Sequence, residues 1–144
     1  MHRKILVGSS AFFNEIEGFQ PKDRDYVILV SNPVGFTYAR QTSFSDKYCL
    51  FEWKKMSVDE FIKHTLDTKL PMTAGKFLIP EFNKQIGFTI TDLKRLEPVF
   101  ERIDKKHTYE KIIFDAYIEN NDFVLTDDQL AAAYTSYTTA RTSK

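Results

Sequence analysis

The chain contains little of what marks several large classes of protein. Cys49 is the only cysteine among 144 residues, so no disulfide can form within the chain, and a reducing compartment is expected. Its 20 Lys and Arg residues balance 20 Asp and Glu residues, which argues against general electrostatic binding of nucleic acid. The longest apolar run near the N-terminus, Ile5–Val7, is too short for a signal peptide, and no run is long enough to span a bilayer. These features predict a soluble cytoplasmic protein with no membrane partner.

Two common nucleotide-binding motifs are also missing. Neither Gly-x-x-x-x-Gly-Lys-Ser/Thr nor Gly-x-Gly-x-x-Gly occurs, and the histidines lack the spacing of metal ligands. The chain is rich in apolar residues: 42% of its residues are hydrophobic, and 13 are Phe. A chain of this size can therefore bury the core of one domain, and its apolar content also allows a homodimer.

Apolar periodicity divides the chain into a strand-rich first part and a helical second part. Short apolar runs predict strands at Ile5–Val7, Tyr26–Val30 and Tyr48–Trp53. Capping sequences predict helices that begin at Ser57, Thr91 and Thr126, the last of them leading into a polar tail from Thr138 to Lys144. We expect an α/β (α+β) fold with a mixed β-sheet flanked by helices and a helical C-terminal half. The expected domain spans residues 1–144, with the sheet-containing core in 1–70 and a mostly helical continuation in 71–144.

Five residues of the first part have side chains or backbone suited to a phosphate and metal site. Gly8-Ser9 lies between a predicted strand and a helix, where backbone N–H groups and the Ser9 hydroxyl can bind phosphate oxygens. Asp23 and Asp25 are two residues apart at the start of a strand, and a divalent cation between them would relieve their repulsion. Glu52 stands in an apolar strand, where a charged side chain needs a partner. Each feature alone is also explained by ordinary structure: a helix cap, a polar turn and a half-exposed strand.

In their order along the chain, these motifs resemble the nucleotidyltransferase superfamily of the DNA polymerase β type, including its minimal members. The resemblance covers Ile5 to Trp53. It implies that Gly8 and Ser9 bind a triphosphate and that Asp23 and Asp25 bind one or two Mg²⁺ ions. It also implies that Glu52 is the third catalytic carboxylate, which ligates metal and activates the acceptor hydroxyl. The expected reaction transfers a nucleoside monophosphate from a nucleoside triphosphate to a hydroxyl of a small molecule, a protein or an RNA.

Arg24 stands between the two aspartates and motivates a different interpretation. Its guanidinium group could pair with Asp23 or Asp25 in place of a metal ion. The chain would then be a non-catalytic module that binds a nucleotide or a partner on the same fold, and carboxylates that lie apart would favour this alternative. A third alternative, a small assembly protein with coincidental motifs, predicts that Glu52 lies far from Asp25.

Two further residues have chemistry that a site could use. His107 follows Lys105 and Lys106 at a helix junction, where it is either a phosphate contact or, as we expect, a solvated helix terminus. Cys49 lies in an apolar stretch, which predicts a buried and inert thiol.

Overall fold

Among the residues that the structure describes, strands occur only in the first part of the chain, and the regular structure of the second part is helical. The computed structural model describes residues 2–19, 24–30, 40–42, 46–52, 58–68, 75–103 and 107–142. The chain divides into two compact units, Met1–Ser57 and Val58–Lys144. We call them the sheet unit and the helical unit and describe each by itself.

The sheet unit contains a four-stranded sheet with the order β1-β2-β4-β3. Its strands are β1 (His2–Val7), β2 (Arg24–Val30), β3 (Arg40–Thr42) and β4 (Asp46–Glu52). β2 is antiparallel to β1 and parallel to β4, and β3 is antiparallel to β4. The predicted strands Ile5–Val7 and Tyr26–Val30 lie within β1 and β2, as apolar and β-branched residues favour a pleated and partly buried surface. The predicted strand Tyr48–Trp53 matches β4 as far as Glu52, and Trp53 lies outside the described residues.

A short helix, α1 (Gly8–Phe13), follows β1 without an intervening loop. Gly8 has a φ of +70°, a value open to glycine, and this lets the chain turn at once from strand to helix. Phe13 is fully buried and packs edge-on against Phe19, with ring centroids 6.0 Å apart. The helix ends at Phe13, earlier than the Gly18 that the sequence suggested as its end.

The helical unit consists, over its described residues, of helices joined by short turns. They are α2 (Val58–Thr68), α3 (Pro80–Ile86), α4 (Ile90–Lys94), α5 (Glu97–Glu101), α6 (Thr108–Asn120) and α7 (Asp127–Thr142). α4 is capped by Thr89, whose side chain accepts a hydrogen bond from the Asp92 backbone while the Asp92 carboxylate accepts one from the Thr89 backbone. The predicted cap at Thr91 is therefore wrong by two residues, because Asp92 acts from the third position of the helix. α7 also continues as far as Thr142, within the segment 138–144 that was expected to be a tail.

Phenylalanine and tyrosine side chains form the core of the helical unit. The Phe77 and Phe88 rings lie 4.7 Å apart, and Phe100 stacks on Phe114 at 4.6 Å. Residues 75–79 form a largely buried helical turn in which the Leu78 N–H donates to the Gly75 carbonyl over 3.1 Å. Helices α4, α5 and α7 each pack against α6, so α6 is the central helix of this unit.

The fold class that the sequence predicted is wrong. The expected α/β fold was a nucleotidyltransferase-like mixed sheet with helices on its flanks. The structure is instead predominantly helical, and the helices from Val58 onward form a bundle-like unit that packs around its own aromatic core. The physical reason is that residues 75–123 supply enough large apolar side chains to bury one another, so they need no sheet to cover. The sheet, which ends at Glu52, belongs to the smaller unit alone.

Candidate functional site

The sheet brings part of the predicted phosphate and metal site together. Val7, the last residue of β1, pairs with Asp25 near the start of β2. Gly8 and Ser9 follow Val7 directly, so the turn and the Asp25 backbone lie at the same end of the sheet. Asp23, the other half of the acidic pair, lies outside the described residues.

Glu52 stands at the other end of the sheet from Asp25. In the parallel pairing of β2 with β4, Asp25 is opposite Lys47, whereas Glu52 is opposite Val30, five positions further along β2. Five residues of a strand span about 16 Å. Two carboxylates that share one Mg²⁺ ion at about 2.1 Å each lie within roughly 4 Å of one another. The backbone register therefore does not fit a magnesium centre that uses both Asp25 and Glu52.

A different kind of surface occurs on α7. From Gln129 to Ala140 this helix has no acidic or basic side chain. Four of these residues share small size and exposure to solvent: Ala131, Ala132, Thr135 and Thr139. Ala131, Thr135 and Thr139 are four residues apart and Ala132 is three residues before Thr135, so the four lie along one side of the helix. We call this set the α7 outer face; an ordinary exposed helix has charged residues on such a side.

The opposite side of α7 is held against α6 by tyrosine rings. Tyr109, which is buried on α6, meets Tyr137 edge-on with centroids 5.3 Å apart. Tyr137 in turn stacks on Tyr134 at 6.3 Å, and both are half-buried. Ala133, one residue before Tyr134, is fully buried. Packing on this side fixes the orientation of α7 and leaves the α7 outer face toward solvent.

The loop that leads into α7 is held in one shape by the side chain of Gln129. Its Oε1 atom accepts hydrogen bonds from the Thr126 backbone N–H over 2.9 Å and from the Asn120 side chain over 2.8 Å. The Gln129 backbone N–H donates to the Thr126 hydroxyl over 3.1 Å, which completes the capping box predicted from the sequence. Val124 in this loop is 61% exposed and is the one large hydrophobic residue so exposed in the part of the chain that the structure describes.

The charged side chains in residues 112–140 are all acidic. Residues 112–140 contain no Lys, Arg or His, and their acidic residues are Asp115, Glu119, Asp122, Asp127 and Asp128. The basic residues nearest along the chain are Lys111 before this stretch and Arg141 after it. In a chain of zero net charge, this is a local negative region next to an uncharged helix face.

Sequence reasoning missed a buried polar cluster at the start of α6. Glu110 is 7% exposed, and its carboxylate lies close to Gly75. If residue 75 had a Cβ atom, that atom would be 3.0 Å from Oε2 of Glu110. The Nδ1 atom of His107 is 3.7 Å from Oε1 of Glu110. His107 is half-buried rather than the solvated helix terminus that we expected. The spacing of His107 and Glu110, three residues apart at a helix start, is the signal that could have indicated this contact.

Two further side chains of α6 have shifted pKa values. Burial lowers the pKa of Lys111, but hydrogen bonds and attraction from Asp115 and Glu101 outweigh it, so the net pKa is raised. The Lys111 Nζ atom lies 2.6 Å from Asp115 and 2.9 Å from Glu101. Burial, with a smaller effect from Asp122, raises the pKa of Tyr117 well above the usual range of a phenol. Both shifts arise from packing within the helical unit.

Comparison with known proteins places the chain in no family. No protein-family model matches it, and neither the curated proteins nor the solved structures gave a match. Within the described residues, no group of three or more His, Cys, Asp or Glu side chains could hold a metal ion. Over the same residues, no helix combines the length and apolar character needed to cross a membrane.

Proposed function

We propose that this protein is a non-catalytic binding module whose contact surface is the α7 outer face. The observation that carries the proposal is the charge-free stretch of α7 from Gln129 to Ala140, exposed at Ala131, Ala132, Thr135 and Thr139. The centres of protein interfaces are depleted of charged residues relative to the rest of the surface. The α7 outer face meets this one criterion, the absence of charged side chains, over about three turns of the helix.

The sheet unit supports a binding role over nucleotidyl transfer. The catalytic interpretation requires Asp25 and Glu52 to act on one metal centre, and the pairing of β2 with β4 sets them five positions apart. This separation of the two backbone positions supports the non-catalytic alternative. In that alternative, the α7 outer face is the surface that we propose for binding a partner.

A photo-crosslinking amino acid placed at position 135 tests the proposal. The matched control carries the same group in place of Thr91, an exposed threonine on α4. We expect a discrete adduct from position 135 in extracts of the cells that make the protein, and none from position 91. Excess unlabelled wild type should compete the adduct away, whereas excess Thr135→Arg protein should not. Equal labelling from both positions, or no adduct from position 135, would contradict the binding surface.

Nucleotide binding is a second candidate, and one observation favours it. The pairing of Val7 with Asp25 brings the Gly8-Ser9 turn to the acidic end of β2. Titration calorimetry with nucleoside triphosphates, with and without Mg²⁺, tests this candidate. We expect metal-dependent binding that Asp25→Ala abolishes and that Glu52→Ala leaves unchanged, since Glu52 stands at the far end of β4. No metal-dependent heat with any triphosphate would remove this candidate and leave the α7 proposal standing.

A further inference from the structure

We draw no further inference here: the strongest candidate, the side-chain cluster of His107 and Glu110 beside Gly75 at the start of α6, belongs to the packing of the helical unit already described, and among the described residues no third His, Cys, Asp or Glu side chain joins the two in a group that could hold a metal ion.

Discussion

The phenolic hydroxyl of Tyr117 donates a hydrogen bond to the backbone carbonyl of Leu78 over 3.1 Å. Both residues are buried, and the bond joins the middle of α6 to the helical turn at residues 75–79. A buried carbonyl without a partner destabilises a fold. This one bond therefore fixes the turn that leads into α3 against the central helix of the helical unit.

Replacement of this tyrosine is expected to change both stability and its dependence on pH. Tyr117→Phe leaves the Leu78 carbonyl without its donor and should lower the free energy of unfolding by about 1–2 kcal/mol at pH 7. Burial raises the pKa of Tyr117 above its ordinary value of 10.0, so the unfolded chain releases this proton first as the pH rises. The wild type should therefore lose stability above pH 10, and Tyr117→Phe should lose less over the same range. Urea unfolding at pH 7 and pH 10.5 measures both effects, and identical alkaline losses in the two proteins would contradict the second.

Lys111 is expected to contribute a small, salt-sensitive stabilisation. It bridges Glu101 and Asp115, and its Nζ atom lies 5.5 Å from the centre of the Phe114 ring. Lys111→Ala should lower the free energy of unfolding by about 1 kcal/mol at low salt, because the pairs are partly exposed. The loss should shrink in 1 M NaCl. Lys84→Ala, at an exposed position of α3, is the control and should change stability by less than about 0.5 kcal/mol.

Gln129 is expected to be the residue that maintains the loop before α7. Gln129→Ala removes the acceptor for Thr126 and Asn120, and we expect a loss of about 1–2 kcal/mol together with faster amide exchange at Thr126. Gln85→Ala, an exposed glutamine of α3, is the matched control. Unchanged exchange at Thr126 in the Gln129 variant would show that the loop holds its shape by other means.

The close approach of Gly75 to Glu110 predicts an overpacking effect. A Cβ atom at position 75 would stand 3.0 Å and 3.1 Å from the two carboxylate oxygens of Glu110. Gly75→Ala should therefore lower the free energy of unfolding by about 1–3 kcal/mol. Glu110→Asp has a shorter side chain, and in that background the same change should cost less. A thermal unfolding cycle of the four proteins tests the coupling, and additive losses would contradict it.

The start of a helix was predictable from the sequence where it depends on hydrogen bonds between residues a few positions apart. The Thr126 and Gln129 capping box occurs as expected because its bonds join residues three positions apart. Pro98 lies in the first turn of α5, where the fixed φ of proline is compatible with a helix start. α3 was missed because its cap, Ile79, has no capping side chain and its start depends on the buried turn before it.

The positions of Asp25 and Glu52 relative to each other were not predictable from the sequence, because they depend on the relative direction of β2 and β4. Asp25 is near the start of β2 and Glu52 is at the end of β4, and both strands lie where the sequence predicted strands. An antiparallel pairing would have brought the two residues together. The strands are parallel, so the start of one cannot meet the end of the other. No local pattern in either segment reveals this choice, and the same is true of the packing within the helical unit.

The strand order β1-β2-β4-β3 limits the order in which the strands can pair while the chain is being synthesised. β1 and β2 can pair as soon as Val30 has emerged, but β3 has no neighbour until β4, which follows it, is complete at Glu52. β4, which pairs with both β2 and β3, is therefore the last strand of the sheet to be synthesised. α6 and α7, by contrast, are neighbours along the chain and pack against each other, and such local contacts form rapidly. We expect the pairing of β4 with β2 to be slower than this local packing, and the edge of β2 is open to other strands until β4 has paired with it.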